Sequence, residues 1–195
     1  MSNVFKSLDA LFISKVRIKA LKYFVLNPEV PIHLRGAVRE FDEEINAVRR
    51  ELSRLEEIGF LTSEPRGNKK YFALNSRHIF LDELTSIIHK SFGLGGAIVK
   101  NASKIGEVKF AVLTENYIRN LAQANKVDLI VVGEVNLDSL AAIVAEVEKN
   151  LNREVHYAVL KAAEFLLRKK RRDVFIMDFL MSNKTFLIGH SEDMN

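Results

Sequence analysis

The sequence predicts an α+β protein built from two parts that differ in their hydrophobic pattern. Residues 1–80 combine amphipathic helical stretches with one charged hairpin, whereas residues beyond 105 carry continuous β-branched runs between helices. The two patterns are typical of a helix-rich domain with a small antiparallel sheet and of an α/β domain, respectively. A glycine-rich stretch, Gly93–Gly96, lies between them and favours a boundary there.

The composition is that of an ordinary folded protein. Of its 195 residues, 48% are hydrophobic and 28% charged. The chain has no cysteine, which excludes a disulfide framework and a cysteine-ligated zinc site. Its N-terminus lacks a signal-type apolar run, and no segment approaches the ~20 apolar residues that span a bilayer. We therefore expect a cytoplasmic protein with no membrane partner.

The net charge of +4 is unevenly distributed. Residues 1–80 contain 14 Lys or Arg against 10 Asp or Glu, whereas residues 81–195 contain 15 of each. All the excess positive charge thus lies in the first part of the chain, where it favours a polyanionic partner.

The first part predicts the element order helix, strand, helix, helix, strand, strand. Ser14 is a plausible N-cap for a helix that ends near Asn27-Pro28. Val30–Leu34 predicts a short strand and Arg35–Phe41 a short helix, and the next helix begins near Asp42. This order is that of the winged helix-turn-helix, whose last helix enters the major groove of DNA.

The third helix and the hairpin carry the most information. Gly59 ends the helix, and Phe60–Glu64 and Lys69–Leu74 predict strands around the turn Pro65–Asn68. Apolar residues spaced by three and four form one stripe of the helix: Ile45, Val48, Leu52 and Leu55. The opposite face is polar and carries several arginines.

Three stretches closely resemble the ArsR-like winged-helix regulators: residues 11–17, residues 50–61 and residues 67–75. The resemblance covers about residues 8–80 and implies a DNA-binding domain over residues 1–80, with a recognition helix at about 43–58 and a basic wing at about 64–70. The residues expected to meet bases or phosphates are Asn46, Arg49, Arg50, Ser53, Arg54, Arg66, Asn68, Lys69 and Lys70.

The acidic run Asp42-Glu43-Glu44 argues in the other direction. Acidic residues suit the N-terminus of a helix, yet they repel DNA at close approach. Either they stabilise the helix, or this domain binds DNA weakly or has turned to a protein partner.

Residues 81–104 are expected to form a linker helix followed by a glycine-containing break. Apolar spacing predicts a helix over residues 79–91, which could pack on its copy in a dimer or belong to the monomer core. No strand precedes Gly93–Gly96 and no Gly-Lys-Ser/Thr follows it, so a hinge or helix break is favoured over a phosphate-binding loop.

The third segment, residues 105–195, predicts an α/β domain. The expected strands are residues 108–113, 127–132, 154–160 and 185–188, and the expected helices are residues 137–151, 162–167 and 174–181.

Phe110–Gly133 resembles the core of the minimal nucleotidyltransferases, relatives of the DNA polymerase beta superfamily. Members of that family use a Gly-Ser turn and an Asp-x-Asp pair, often with a third carboxylate, to hold two Mg²⁺ ions. Thr114-Glu115 stands where the resemblance places Gly-Ser, Lys126-Val127-Asp128 stands for Asp-x-Asp, and His156 lies near the third carboxylate. Only Asp128 survives. The resemblance thus implies a vestigial site without catalytic residues, metals or cofactors.

Other candidate sites are weaker. The basic run Arg168–Arg172 is expected to be a solvated loop, although it could bind nucleic acid or a nucleotide phosphate. No nucleophile elbow is present, and several phenylalanines have core-like spacing: Phe165, Phe175, Phe179 and Phe186. The histidines lack the paired spacing of metal ligands: His33, His78, His89, His156 and His190.

Together these observations predict a DNA-binding transcriptional regulator, a homodimer, whose second domain is catalytically inactive and serves dimerisation, sensing or partner binding. Two alternatives stay open at this point. One is a nucleotidyltransferase with a displaced metal site, and the other is an antitoxin-like protein-interaction module.

Overall fold

The computed structural model describes residue 8 and residues 10–119, 126–151 and 153–195. The protein is of the mixed α+β class that the sequence predicts, with two β-sheets. It divides into two compact units, Met1–Ile88 and His89–Asn195, called here the first and the second unit. Among the described helices, none is long and apolar enough to cross a membrane.

The first unit follows the predicted order of elements. Its described elements are α1 (Lys15–Leu26), β1 (Ile32–His33), α2 (Leu34–Phe41), α3 (Ile45–Glu57), β2 (Leu61–Arg66), β3 (Lys69–Leu74) and α4 (Leu81–Ser91), which runs on into the second unit. The strands form an antiparallel sheet in the order β1-β3-β2.

Two helices show how the pattern produces the core of the first unit. The Ser14 hydroxyl accepts a hydrogen bond from the Arg17 backbone N–H at 3.2 Å, which confirms Ser14 as the N-cap of α1. The apolar stripes of both helices face the core, with these residues buried: Ile18, Leu21 and Val25 on α1, and Val48, Leu52 and Leu55 on α3. Ile45, the first residue of the predicted α3 stripe, is half-buried. Burial of these side chains fixes which face of α3 remains exposed.

The structure corrects two boundaries in the first unit. Helix α3 begins at Ile45 rather than near Asp42, because Asp42 adopts the left-handed conformation (φ +49°, ψ +58°) and ends α2. The hairpin turn contains Gly67 and Asn68 alone, since Arg66 pairs with Lys69 in the ladder. Gly67, at φ +61°, supplies the positive φ that a two-residue hairpin turn needs.

The second unit contains a four-stranded sheet flanked by helices. Its further described elements are α5 (Gly93–Lys100), α6 (Ala102–Ile105), β4 (Gly106–Thr114), α7 (Glu115–Ile118), β5 (Leu129–Val135), α8 (Leu137–Leu151), β6 (Tyr157–Leu160), α9 (Ala162–Lys170), α10 (Val174–Met181), β7 (Lys184–Ile188) and a 3₁₀ turn (Ser191–Met194). The strand order is β6-β5-β4-β7, with β5 and β6 parallel and the other pairs antiparallel.

Both faces of this sheet are covered, as its continuous apolar runs predict. On β4, Ala111 and Leu113 pack into one core with helices α5 and α8, while Phe110 and Val112 pack into a second core with α9 and α10. The two central strands are therefore buried on both sides.

The helix breaks just before the glycine-rich stretch, where Gly93 has φ +58°, but Gly93–Gly96 themselves are helical, which corrects the predicted extent of the break. The interruption falls at Phe92, between α4 and α5. A Cβ on Gly95 would lie 2.0 Å from the carbonyl oxygen of His89, and one on Gly96 would lie 2.5 Å from that of Ser91. The glycines thus permit close packing of backbones, and α5 contributes Leu94 and Ile98 to the core of the second unit instead of serving as a linker.

The basic run Arg168–Arg172 was expected to be a loop, but its first three residues are helical. Arg168, Lys169 and Lys170 form the last turn of α9, where cations are favoured by the helix dipole. Arg168 pairs with Glu164 at 2.7 Å, and Lys169 Nζ donates to the Met194 carbonyl at 2.9 Å. The residues that connect α9 to α10 are 171–173.

Candidate functional site

The outer face of α3 is polar and exposed. Five of the residues singled out from the sequence lie there, all exposed: Asn46, Arg49, Arg50, Ser53 and Arg54. Since Val48, Leu52 and Leu55 hold the opposite side of α3 in the core, this face is fixed toward solvent.

The residues expected on the hairpin tip are exposed as well, but two of its cations are already paired. Arg66 forms an ion pair with Glu64 and lies over the ring of Tyr71 at 5.1 Å. Lys70 Nζ lies 2.7 Å from an oxygen of Glu56, a contact that, with the Ser63 hydroxyl, lowers the pKa of Glu56. Asn68 and Lys69 are exposed at the tip itself.

The cations of this surface, formed by α3 and the hairpin, therefore differ in how freely they can meet a ligand. Arg54 donates to the buried carboxylate of Glu51 at 3.1 Å, and Arg49 donates to Asn46 Oδ1 at 3.0 Å. The side chains of Arg50 and Lys69 make neither a hydrogen bond nor a salt bridge with any residue that the structure describes. These two are the most available cations of the surface.

The acidic run before α3 has defined structural roles. The Glu44 carboxylate caps α3 by accepting from the backbone N–H groups of Asn46 (2.7 Å) and Ala47 (3.0 Å), and these hydrogen bonds lower its pKa. Glu43 pairs with Lys19 at 2.7 Å. Of the two interpretations of Asp42–Glu44, helix stabilisation therefore has direct support in these contacts.

The second unit holds a buried carboxylate whose acceptor positions are occupied. Asp128 is 2% exposed. Its Oδ1 accepts from Asn116 Nδ2 at 2.8 Å and from Arg153 Nη2 at 3.1 Å, and its Oδ2 accepts from the backbone N–H of His156 at 3.0 Å. We name this arrangement the Asp128 cluster. A carboxylate with three donors, one of them a guanidinium, is poorly suited to bind Mg²⁺.

Arg153 also links the Asp128 cluster to two buried rings. Its guanidinium carbon lies 4.8 Å from the centre of the Tyr117 ring, and the Tyr117 and His89 rings meet edge to face at 5.7 Å. Burial, together with Arg153, lowers the pKa of His89 to about 4. Neither ring nitrogen of His89 has a hydrogen-bond partner in the described part of the chain. His89 is thus held as a neutral imidazole at pH 7.

The remaining residues of the expected vestigial site come together around a cavity. Thr114 Oγ1 donates to the Val127 carbonyl at 2.5 Å, and Glu115 pairs with Arg119 at 2.9 Å. Thr114, Glu115 and Lys126 line the cavity, whose volume is about 540 Å³, whereas Asp128 does not. The structure therefore brings three of the four residues to one cavity, while the fourth, Asp128, is buried and does not line it.

Sequence reasoning missed Asn116 and Arg153. Lys126 stands two residues before Asp128 in the sequence, but the cation that binds the Asp128 carboxylate is Arg153, from 25 residues further along the chain. The only available signal was that His156, assigned to the same site, follows closely after Arg153.

Metal ligation finds no support in the side-chain arrangement. Across residues 8, 10–119, 126–151 and 153–195, no three His, Asp or Glu side chains are grouped to hold a metal ion. His33 instead uses Nδ1 to accept from the Gly36 N–H at 2.9 Å, which caps α2.

No protein-family model, no curated protein and no solved structure matches this chain.

Proposed function

We propose that the first unit is a winged helix-turn-helix domain that binds duplex DNA, and that the protein is a transcriptional regulator. The observation that carries this proposal is the polar face of α3, which presents Asn46, Arg49, Arg50 and Ser53 to solvent beside a basic hairpin. An α-helix fits the major groove of B-DNA, and a hairpin next to it can reach the sugar-phosphate backbone.

The side chains on this face have the chemistry that base recognition uses. Asparagine can bond the two hydrogen-bonding edges of adenine, and arginine does the same for guanine. Asn46 and Arg49 are hydrogen-bonded to each other at 3.0 Å, so each is already oriented. The side chains of Arg50 and Lys69, which have no hydrogen-bond or salt-bridge partner in the described chain, are suited to phosphate contacts.

The N-terminus of α3 is expected to contribute less than in a helix with free amides. Glu44 occupies the N–H groups of Asn46 and Ala47, so these cannot donate to a phosphate. The salt dependence of binding then comes from the phosphate contacts of the cations without a salt-bridge partner within the described residues, chiefly Arg50 and Lys69. Two such contacts correspond to a slope of about −1.8 in log affinity against log salt.

Fluorescence anisotropy with a mixed-sequence duplex tests this proposal on the full chain. Arg50→Ala and Lys69→Ala should each weaken binding about fivefold and reduce the salt slope by about 0.9. Lys149→Ala removes an exposed lysine from α8 in the second unit and serves as the matched control. It should leave both quantities unchanged.

Sequence-specific binding is tested separately. Selection of bound fragments from genomic DNA should return a common site, and Asn46→Ala should relax the preference at one position of that site without altering the salt slope. The proposal fails if the folded protein does not bind duplex DNA at low salt, or if Arg50→Ala and Lys149→Ala behave alike.

The proposal includes a homodimer, because two copies of α3 could then read two half-sites spaced by about 34 Å. Light scattering on the full chain, alone and with DNA, measures this. A single copy on every bound duplex would contradict the dimer and leave DNA binding itself intact.

We further propose that the second unit transfers no nucleotidyl group. The three donors to the Asp128 carboxylate support this, since one of them is the guanidinium of Arg153 at 3.1 Å, which opposes cation binding. Incubation with labelled nucleoside triphosphates and Mg²⁺ or Mn²⁺ is the test. Transfer of label that disappears in Asp128→Asn would overturn the proposal.

A further inference from the structure

The cavity of the second unit has the size and lining of a ligand site. Its volume of about 540 Å³ falls within the roughly 300–1,000 Å³ of small-molecule pockets. One wall is apolar and is formed by Val127, Ile130, Phe175 and Phe179. Ile130 and Phe179 are also members of the core, which keeps this wall rigid. A ligand that covers it must have an apolar body.

Of the charged side chains that line the cavity, one of each sign lacks a salt-bridge partner among the described residues. Glu115 is neutralised by Arg119 at 2.9 Å. Lys126, just before β5, and Asp178, on α10, both line the cavity and form no salt bridge with a residue for which the structure gives a position. A ligand that satisfies both needs an anionic and a cationic group.

The neutral polar groups favour an ammonium as the cationic group. The hydroxyls of Thr114 and Ser182 donate to the carbonyls of Val127 (2.5 Å) and Phe179 (3.0 Å), so each retains lone pairs that can accept. Asn116 has donated to Asp128, and its Oδ1 has no partner among the described residues. The neutral lining therefore offers acceptors, while Lys126 offers the donor that a carboxylate needs.

The same charge balance disfavours two other ligand classes. A nucleoside triphosphate would bring several negative charges to a site where Lys126 is balanced by Asp178 and Glu115 is already paired with Arg119. A simple organic cation would leave the Lys126 ammonium without a counter-ion and close to a like charge.

From these observations we propose that the cavity binds a small zwitterion with an apolar body, of the class of the aliphatic and aromatic α-amino acids. The carboxylate of the ligand pairs with Lys126, its ammonium pairs with Asp178 and the hydroxyl acceptors, and its side chain covers the wall formed by Ile130, Phe175 and Phe179. The site is a receptor for a free metabolite and involves no covalent step.

Isothermal calorimetry on the full chain without DNA tests this proposal. The probes are L-phenylalanine and L-leucine, with two half-ligands: 3-phenylpropionate, which lacks the ammonium, and 2-phenylethylamine, which lacks the carboxylate. At least one amino acid should bind, and the half-ligands should bind about tenfold more weakly, because each loses one of the two charge-assisted contacts, with Lys126 or with Asp178.

Matched variants assign the contacts. Lys126→Met and Asp178→Asn should each weaken amino-acid binding about tenfold and leave the circular dichroism spectrum unchanged. Lys149→Met and Asp138→Asn make the same chemical changes at exposed positions of α8 and should have no effect.

The proposal is overturned if the folded protein binds none of a panel of apolar amino acids at millimolar concentration. It is also overturned if the half-ligands bind as well as the amino acids, or if Mg²⁺-ATP displaces a bound amino acid at lower concentration. Because no DNA is present, failure here is distinguishable from failure of the proposed DNA binding.

Discussion

Among the described residues, each unit of the protein buries one carboxylate side chain, and the two are stabilised in different ways. Glu51, in the first unit, is 5% exposed and binds the guanidinium groups of Arg17 and Arg54, whose side chains are 35% and 60% exposed. Asp128, in the second unit, binds a buried amide, a backbone N–H and Arg153, which is 25% exposed. Water can therefore replace much of the hydrogen bonding around Glu51 and little of the hydrogen bonding around Asp128.

The difference teaches where each unit can interact with other molecules. In the first unit, the salt bridge between Arg17 and the buried Glu51 joins α1 to α3. The polar side chains of the outer face of α3 lie on the surface. In the second unit, polar groups are gathered in the buried Asp128 cluster and around the adjoining cavity, where Lys126 and Asp178 are exposed to solvent. We therefore expect the first unit to recognise a large partner and the second to recognise a small one.

The largest expected effect is that of Asp128→Ala. This change leaves the Arg153 guanidinium, the Asn116 amide and the His156 N–H without their acceptor, which should destabilise the second unit by about 3–5 kcal/mol. Urea unfolding, with amide hydrogen exchange resolved for each unit, measures the loss. Asp138→Ala, at an exposed position of α8, is the control. A loss below about 1 kcal/mol for Asp128→Ala would contradict the comparison.

The second expected effect is a pH dependence confined to the second unit. The pKa of His89 is about 4 in the folded protein, against an ordinary 6.5. The unfolded chain therefore takes up a proton as the pH falls from 6.5 to 4, whereas the folded chain does not. Stability should be complete above pH 6.5 and should fall by about 3 kcal/mol by pH 4.

The first unit should respond only at lower pH. The pKa values of Glu44 and Glu56 are depressed from an ordinary 4.5, so the stability they add is lost only as the pH falls below that value. Hydrogen exchange at pH 7 and pH 5 separates the two units. His89→Leu should flatten the dependence of the second unit, and a loss shared equally by both units would refute this assignment.

The third effect is that of Glu51→Ala, expected at about 2 kcal/mol in the first unit. The penalty is smaller than for Asp128→Ala because Arg17 and Arg54 can turn to solvent. The same unfolding experiment measures it. Glu57→Ala, at the exposed C-terminal end of α3, is the matched control, and equal losses for Glu51→Ala and Asp128→Ala would remove the distinction between the two carboxylates.

The smallest expected effect is a gain in the stability of the first unit. Asp42 has φ +49° at the end of α2, a conformation that glycine adopts without steric cost. Asp42→Gly should stabilise the first unit by about 0.5–1 kcal/mol, as seen in its thermal midpoint. Asp82→Gly, in the first turn of α4, should destabilise by a similar amount. A loss on Asp42→Gly would show that the aspartate side chain itself is needed there.

Much of the secondary structure could be predicted because local signals agreed with the packing. The helices over residues 137–151 and 174–181 have the predicted bounds. The start of α3 was misjudged because three acidic residues resemble a first helical turn, whereas Glu44 caps the helix from outside it. Gly93–Gly96 was misjudged because the requirement for glycine comes from close backbone contact with the end of α4, which no local pattern reveals.

The candidate sites also differ in whether local sequence signals could predict them. The exposed face of α3 follows from helical periodicity alone, so its residues could be named in advance. The Asp128 cluster depends on contacts between residues 12 to 28 positions apart, and the cavity depends on how α10 packs on the sheet. Phe175 and Phe179 had the spacing of core residues, and only the tertiary structure shows that they also form a cavity wall.

Asp128 has a further consequence for the folding of the second unit, namely for strand register. Its backbone N–H donates to the His156 carbonyl at 2.7 Å while its side chain accepts from the His156 N–H at 3.0 Å, which closes a ring at the start of the parallel ladder of β5 and β6. A slip of one residue in that ladder would turn every side chain of β6 to the opposite face. A side chain of aspartate length can close this ring, so the Asp128 side chain favours the observed register of β5 and β6 over a shifted one.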